Sequence, residues 1–260
     1  MKEQIKVKGI VLLQAPVGEY DRRVVLLTLE KGKISAFARG ARRPNSPLIG
    51  VCQPMTFGTF FLYAGRNSFT LLSAEADHYF PELKKDLLSV SYGTYFLELA
   101  AWLTRENNDE REILKLLYAS LRTLEKNKIP KKLIRCIFEL RIMTCFGEGI
   151  QAFSCIECGR EDNLFFFSGN RGGCYCKNCK SYASDVLRLE ESTLYTLQYI
   201  IVTPIEKLFH FVVSEPVLLQ LMRISRSYIS SHVRGEFKSL EMIDVLEIDE
   251  MDRKKSKKKE

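Results

Sequence analysis

The chain has 260 residues with 46% hydrophobic and 27% charged side chains, ordinary values for a globular protein and wrong for a disordered one. Lys and Arg number 39 against 32 Asp and Glu, a net charge of +7, and the excess is concentrated in residues 1–80, which hold eleven basic and six acidic groups. No apolar run approaches the roughly 18 residues of a membrane span, and the start is too short and too β-like for a secretory h-region. The chain therefore reads as cytoplasmic, and its charge distribution favours a polyanionic partner.

Residues 5–75 read as strands. Val7–Leu13 and Arg23–Leu29 are β-branched and apolar runs, and Glu30-Lys31-Gly32-Lys33 turns into Ile34–Ala38. A loop rich in Gly, Arg and Pro follows at 40–47. Pro54–Tyr63 and Ser68–Ala74 flank the turn Ala64-Gly65-Arg66-Asn67. Five strands in about 75 residues fit a small five-stranded barrel of the OB type, and an SH3-like barrel fits the pattern nearly as well.

After Pro81 the apolar period becomes helical. Leu83 to Leu103 is one helix, broken at Asn107-Asn108-Asp109, and Ile113, Leu116, Leu117, Leu121 and Leu124 stripe the next. Pro130 opens a third helix that Gly147 can close. Helical pattern returns over Ser192–Val202 and from Ser214 to His232, and the charged stretch 249–260 reads as a disordered tail. The expected organisation is α+β: a barrel at 1–80, a helical domain at 81–248 with a Cys-rich insertion at 151–180, and the tail.

Five of the eight cysteines fall within that insertion. Cys155-Ile156-Glu157-Cys158 and Cys176-Lys177-Asn178-Cys179 are two C-x2-C knuckles with seventeen residues between them, the spacing of a zinc ribbon. Each tight turn points two thiolates at one metal, and two turns complete a tetrahedral Zn²⁺ site. Four thiolates leave no open coordination position, so the metal is structural. Cys174 makes the second knuckle ambiguous; Cys176 and Cys179 are preferred because they keep the two-residue spacing. Cys52, Cys136 and Cys145 lie on apolar faces and read as core.

Enzyme signatures are missing. None of His78, His210 and His232 begins the H-x-E element of a nucleobase deaminase, and there is no Walker A, G-x-S-x-G or H-E-x-x-H sequence. Arg22, Arg23, Lys33, Arg39, Arg42 and Arg43 instead form a basic cluster beside strands and turns. Arginine forks suit phosphate oxygens, and flanking aromatics such as Phe37 and Phe61 can stack on bases. This makes a nucleic-acid-binding barrel the expected function; an RNA-binding OB/zinc-ribbon module and, less favoured, a zinc-dependent hydrolase are the alternatives.

The segment GIVLLQAPVGEYDRRVVLLTLEKGKISAFARGARRPNS resembles the N-terminal part of the bacterial RecO family of DNA-repair recombination mediators. The likeness continues at Gln53-Pro54, through Leu62–Arg66, at Cys155–Cys179 and at Ser231-His232-Val233-Arg234-Gly235. The resemblance implies an OB fold, a helical domain and a zinc insert. It implies binding of single- and double-stranded DNA, strand annealing, and action with RecR and single-strand-binding protein in loading RecA. On this sequence, Arg22, Arg23, Lys33, Arg39, Arg42 and Arg43 become DNA-contact candidates and Cys155, Cys158, Cys176 and Cys179 zinc ligands. Lys131, Lys132, Arg135 and Arg141, beside Ile134 and Phe138, are candidates for receiving the acidic C-terminal tail of single-strand-binding protein.

Overall fold

A computed structural model describes residues 3–65 and 68–256. Arg66 and Asn67 of the expected turn, and residues 257–260 of the expected tail, lie outside the described residues. The chain divides into two compact units, residues 1–125 with 237–260, and residues 126–236.

In the first unit, β1 (Glu3–Val17), β2 (Asp21–Thr28), β3 (Gly32–Ala38), β4 (Phe57–Ala64) and β5 (Phe69–His78) form a closed barrel in the order β1-β2-β3-β5-β4. The 15-residue β1 serves two neighbours: its first half pairs with β4 and its second half with β2. An irregularity between Val11 and Leu13 bends the strand between these two roles. The barrel closes through a short parallel pairing of Ala36–Ala38 with Phe69–Leu71. A four-residue helix, α1 (Leu48–Val51), sits between β3 and β4 in the chain. Its Leu48 and Val51, with Cys52, join Val7, Val11, Leu26, Ile34, Phe60 and Leu62 in the barrel core. This is the OB-type arrangement.

Gly9 on β1 and Gly58 on β4 face each other in register. A Cβ on Gly9 would press into the Leu27 carbonyl oxygen, and one on Gly58 into the Glu75 carbonyl oxygen. The chain thus uses glycine where two strand backbones come closest.

Three helices complete this unit. In α2 (Leu87–Leu103), Asp86 caps the first turn by accepting from the Ser89 N–H at 3.1 Å. Its Tyr92, Tyr95 and Phe96 are fully buried. Alongside it, α3 (Arg111–Lys126) carries the expected apolar stripe, and its Tyr118 ring lies 4.4 Å from Phe57. The last helix, α7 (Lys238–Ser256), packs on α2: Ile243 is buried, Ser239 Oγ donates to Glu98 at 2.6 Å, and Tyr92 donates to Glu247. Helix therefore covers residues 249–256, where the sequence suggested a disordered tail.

The second unit contains α4 (Lys131–Phe146), α5 (Glu191–Val202) and α6 (Glu215–His232), with a three-stranded sheet of β6 (Leu164–Ser168), β7 (Gly173–Cys176) and β8 (Val186–Arg188) in the order β7-β6-β8. Pro130 precedes α4 and Gly147 caps its end in a left-handed conformation. Leu133, Ile134, Ile137, Phe138, Leu197, Ile200, Leu221 and Ile224 are among its buried apolar residues.

Replacing Gly9 by Ala forces backbone apart in an otherwise regular barrel. We expect Gly9→Ala to lower unfolding free energy by about 1–3 kcal/mol in a urea titration. An unchanged midpoint would contradict the close approach at β1.

Candidate metal centre and candidate nucleic-acid interface

The Cys-rich segment folds as two knuckles on the β6–β7 hairpin. In the first, the Gly159 N–H donates to the Cys155 carbonyl at 2.8 Å and the Cys155 N–H to the Arg160 carbonyl at 2.7 Å. The Ile156 N–H donates to the Cys174 carbonyl at 3.0 Å, which ties this knuckle to β7. In the second, the Cys179 N–H donates to the Cys176 carbonyl at 3.1 Å. The sulfurs of Cys155, Cys158, Cys176 and Cys179 all lie within 4.8 Å of one another, and those of Cys158 and Cys176 are 3.8 Å apart. A tetrahedron with metal–sulfur bonds of about 2.3 Å has edges of about 3.8 Å, so the donor set has the dimensions of a four-thiolate centre.

The electrostatics of the cluster suit a cation. Burial opposes ionisation of Cys155, but backbone hydrogen bonds from Cys176, Cys158 and Glu157 prevail and bring its pKa down to about 6. Cys179 moves the other way, up to about 12, through burial, hydrogen bonds within the cluster and the Cys155 charge. Four thiols this close cannot all ionise without a cation to share the charge. Cys174 stands outside the cluster. It is buried on β7 opposite Phe167, and burial pushes its thiol up to about 12. The sulfurs gathered within 4.8 Å are thus those of the two C-x2-C knuckles. Cys52 and Cys136 are buried as expected, and Cys145 is partly so.

At one end of the barrel, the β1–β2 connection and the loop after β3 interlock. The Gly40 N–H donates to Asp21 Oδ1 at 2.7 Å, and the Arg42 N–H donates to the Tyr20 carbonyl at 2.8 Å. The Arg42 guanidinium donates to the Gly18 carbonyl at 3.0 Å, and the Arg43 guanidinium lies over the Tyr20 ring, 5.2 Å from its centre. Ala41, between Gly40 and Arg42, is fully buried in the barrel core. Gly40 has φ +66°, a conformation that L side chains rarely adopt. Arg22 donates to Gln14, and Arg22 and Arg42 line a groove with Gln14, Ala15 and Pro16. Arg23 lies on the outer face of β2, donates to Ser35 at 3.0 Å and pairs in register with the exposed Phe37. Arg39 is exposed.

Among the described residues, none of Arg22, Arg23, Arg39, Arg42 and Arg43 is in a salt bridge with a carboxylate. No carboxylate among the described residues therefore lies within ion-pair distance of them. Lys33 differs from them. Its ammonium donates to the Ala101 carbonyl near the C-terminus of α2 at 2.8 Å, and burial lowers its pKa against the opposing pull of Glu106 and Glu110. It serves as a helix-end cation rather than as a member of the exposed cluster.

Two of the α4 cations are held by groups within their own unit. Arg135 pairs with Glu139 at 2.8 Å, and Glu139 is fully buried. Arg141 donates to the Ile201 carbonyl at the end of α5. Ile134 and Phe138 are fully buried and unavailable to a peptide. Lys131 and Lys132 are half-buried at the start of the helix. Sequence reasoning also missed Tyr20 and Asp21, whose roles depend on a loop nineteen residues farther along the chain; the run Tyr20-Asp21-Arg22-Arg23 was the available signal.

Among the described residues no helix is long and apolar enough to cross a membrane. The chain matches the family model described as recombination protein O N terminal over residues 1–80, and that described as recombination protein O C terminal over residues 84–241. It is 31% identical over 246 residues to the DNA repair protein RecO of Acetivibrio thermocellus, covering 94% of this chain and 97% of the relative. It is 32% identical over 240 residues to that of Alkaliphilus metalliredigens, covering 92% and 98%. With both halves matched and such identity along nine-tenths of its length, the chain belongs to the recombination protein O (RecO) family.

Proposed function

We propose that this protein is a non-catalytic mediator of DNA repair and recombination that grips the sugar-phosphate backbone with the end of its barrel. The observation that carries the reading is the group of five arginines without a carboxylate partner among the described residues, four of them on or next to the interlocked loops. Cations held in this way release counterions from a phosphate chain without reading its bases. Such a surface accepts single- and double-stranded DNA, and it lowers the repulsion between two strands that are to anneal. The resemblance to the family supplies the remaining roles: action with RecR in loading RecA onto strands coated by single-strand-binding protein. Of the α4 cations, only Lys131 and Lys132 stay within the proposed docking site for that protein's acidic tail.

In the same reading, Cys155, Cys158, Cys176 and Cys179 hold a structural Zn²⁺. The geometry and the all-thiolate donor set favour it, and a closed site gives the metal no open position for chemistry. Its part is to fix the knuckles to the β6–β7 hairpin, whose Leu164, Phe167 and Tyr175 are buried.

Replacing Arg39, Arg42 and Arg43 together by Ala is expected to weaken binding to a fluorescent oligothymidylate. It should also reduce the slope of log affinity against log salt by about 0.7 for each phosphate that the variant no longer neutralises. Equal affinity and slope in anisotropy titrations would remove the barrel end from the interface. Competition by RNA of the same length, as effective as DNA, would instead favour an RNA-directed role.

The metal assignment predicts one zinc ion per chain by colorimetric release, and none in Cys158→Ser. Thiols must give up protons to bind it, so retention should fail as pH falls below neutrality. A metal-free wild-type protein with an unchanged melting temperature would refute the structural role.

A further inference from the structure

Asp21 poses an electrostatic contradiction. It is an acid between Arg22 and Arg23 on one side and the Arg42–Arg43 loop on the other, at a surface whose proposed ligand is a polyanion. Charge alone would make it a defect. Among the described residues it forms no salt bridge with any of these arginines. Its carboxylate oxygen instead accepts the Gly40 N–H at 2.7 Å.

That hydrogen bond comes where the chain leaves the strand. Strand β3 ends at Ala38, and Gly40 is the first residue beyond it with a left-handed backbone. The next residue, Ala41, must turn inward to reach the core, while Arg39 and Arg42 on either side must stay outside. The Ala41 N–H has only a long hydrogen bond, 3.4 Å, to the Ala38 carbonyl. Asp21 therefore fixes the peptide that decides which way the arginines leave the barrel. It is itself fixed, because it is the first residue of β2 and pairs in register with Val17.

We propose that Asp21 is a positioning residue for the phosphate-contacting loop: through Gly40 it holds Arg39, Arg42 and Arg43 in one arrangement before any strand arrives. This rests on the nucleic-acid reading of the barrel end and deepens it, since it makes the cationic surface preorganised. A loop held in place gives up less conformational freedom on binding than a loose one. The acid thus strengthens binding of a polyanion through geometry by more than it weakens it through charge.

The test separates the two effects by sign. Asp21→Asn keeps an oxygen for the Gly40 N–H and removes the charge; Asp21→Ala removes both. Hydrogen exchange over residues 39–47 reports the loop without any ligand, and anisotropy with a fluorescent single-stranded oligothymidylate reports binding. In Asp21→Ala the loop should lose protection, and affinity should fall about five- to tenfold, the worth of one hydrogen bond of this kind. Asp21→Asn should keep the protection and bind as tightly as the unaltered protein, or more tightly at low salt.

Unaltered exchange in Asp21→Ala overturns the inference. So does tighter binding by Asp21→Ala while the triple arginine variant binds weakly, because Asp21 would then act only as a charge. If the loop loosens in Asp21→Ala but neither that variant nor the triple variant changes affinity, the clasp stands and the nucleic-acid reading fails. Melting curves accompany each variant. Should Asp21→Ala not fold, Asp21→Ser takes its place, since its hydroxyl ends one bond short of the carboxylate oxygens.

Discussion

Closure of the barrel is the constraint on which the rest of the first unit depends. A closed sheet has no free edge, and here the last gap is bridged by only three residue pairs, Ala36–Ala38 with Phe69–Leu71. Ala38 is the last residue of β3 to pair, with Arg22 of β2 on one side and Leu71 of β5 on the other, and β2 itself starts only one residue before Arg22. The chain turns there at the barrel end, beside the β1–β2 connection. The loop that follows is anchored in the core by Ala41 and then by Leu48 and Val51 of α1. The basic cluster is thus a by-product of closing the barrel: the residues that must leave the sheet are arginines, and the core holds the small residue between them.

Burial decides what each cation can do. At the barrel end the arginines find a carbonyl, a glutamine, a serine and a tyrosine ring, neutral partners that orient a guanidinium without cancelling its charge. On α4, Arg135 meets a carboxylate with no exposure to water. An ionised glutamate at such a site needs an opposite charge, so this arginine belongs to the interior. Lys33 lies between these cases, drawn to the carbonyl end of α2 with two glutamates nearby. Residue type alone does not separate them.

The metal centre follows a different logic. The hairpin buries Leu164, Phe167 and Tyr175, but the two knuckles that flank it are short turns, and no disulfide joins them among the described residues. Four soft donors at the spacing of a tetrahedron offer a ligand-dependent way to hold those turns together. The backbone N–H groups directed at Cys155 favour its thiolate, so part of the cost of gathering negative charge is offset before a metal binds.

Local signals carried much of this from the sequence. Alternation and turn chemistry marked the five strands, the 3.6-residue period marked α3 to α6 closely, and the C-x2-C spacing singled out four of five clustered cysteines because ligand geometry is encoded within a few residues. The final helix escaped detection. Its apolar residues run around the cylinder, with Ile243 buried but Met242, Val245 and Ile248 exposed, and no clear stripe rises above the charge. The return of α7 to pack on α2 from the far end of the chain likewise has no local signal. What sequence determined here are features set by neighbours within one turn or knuckle: strands, helices, metal spacing and the presence of a basic segment. Tertiary structure alone decided which cations face water, which thiol stays out of the cluster, and that an aspartate clasps the arginine loop, because each depends on groups brought together from distant parts of the chain.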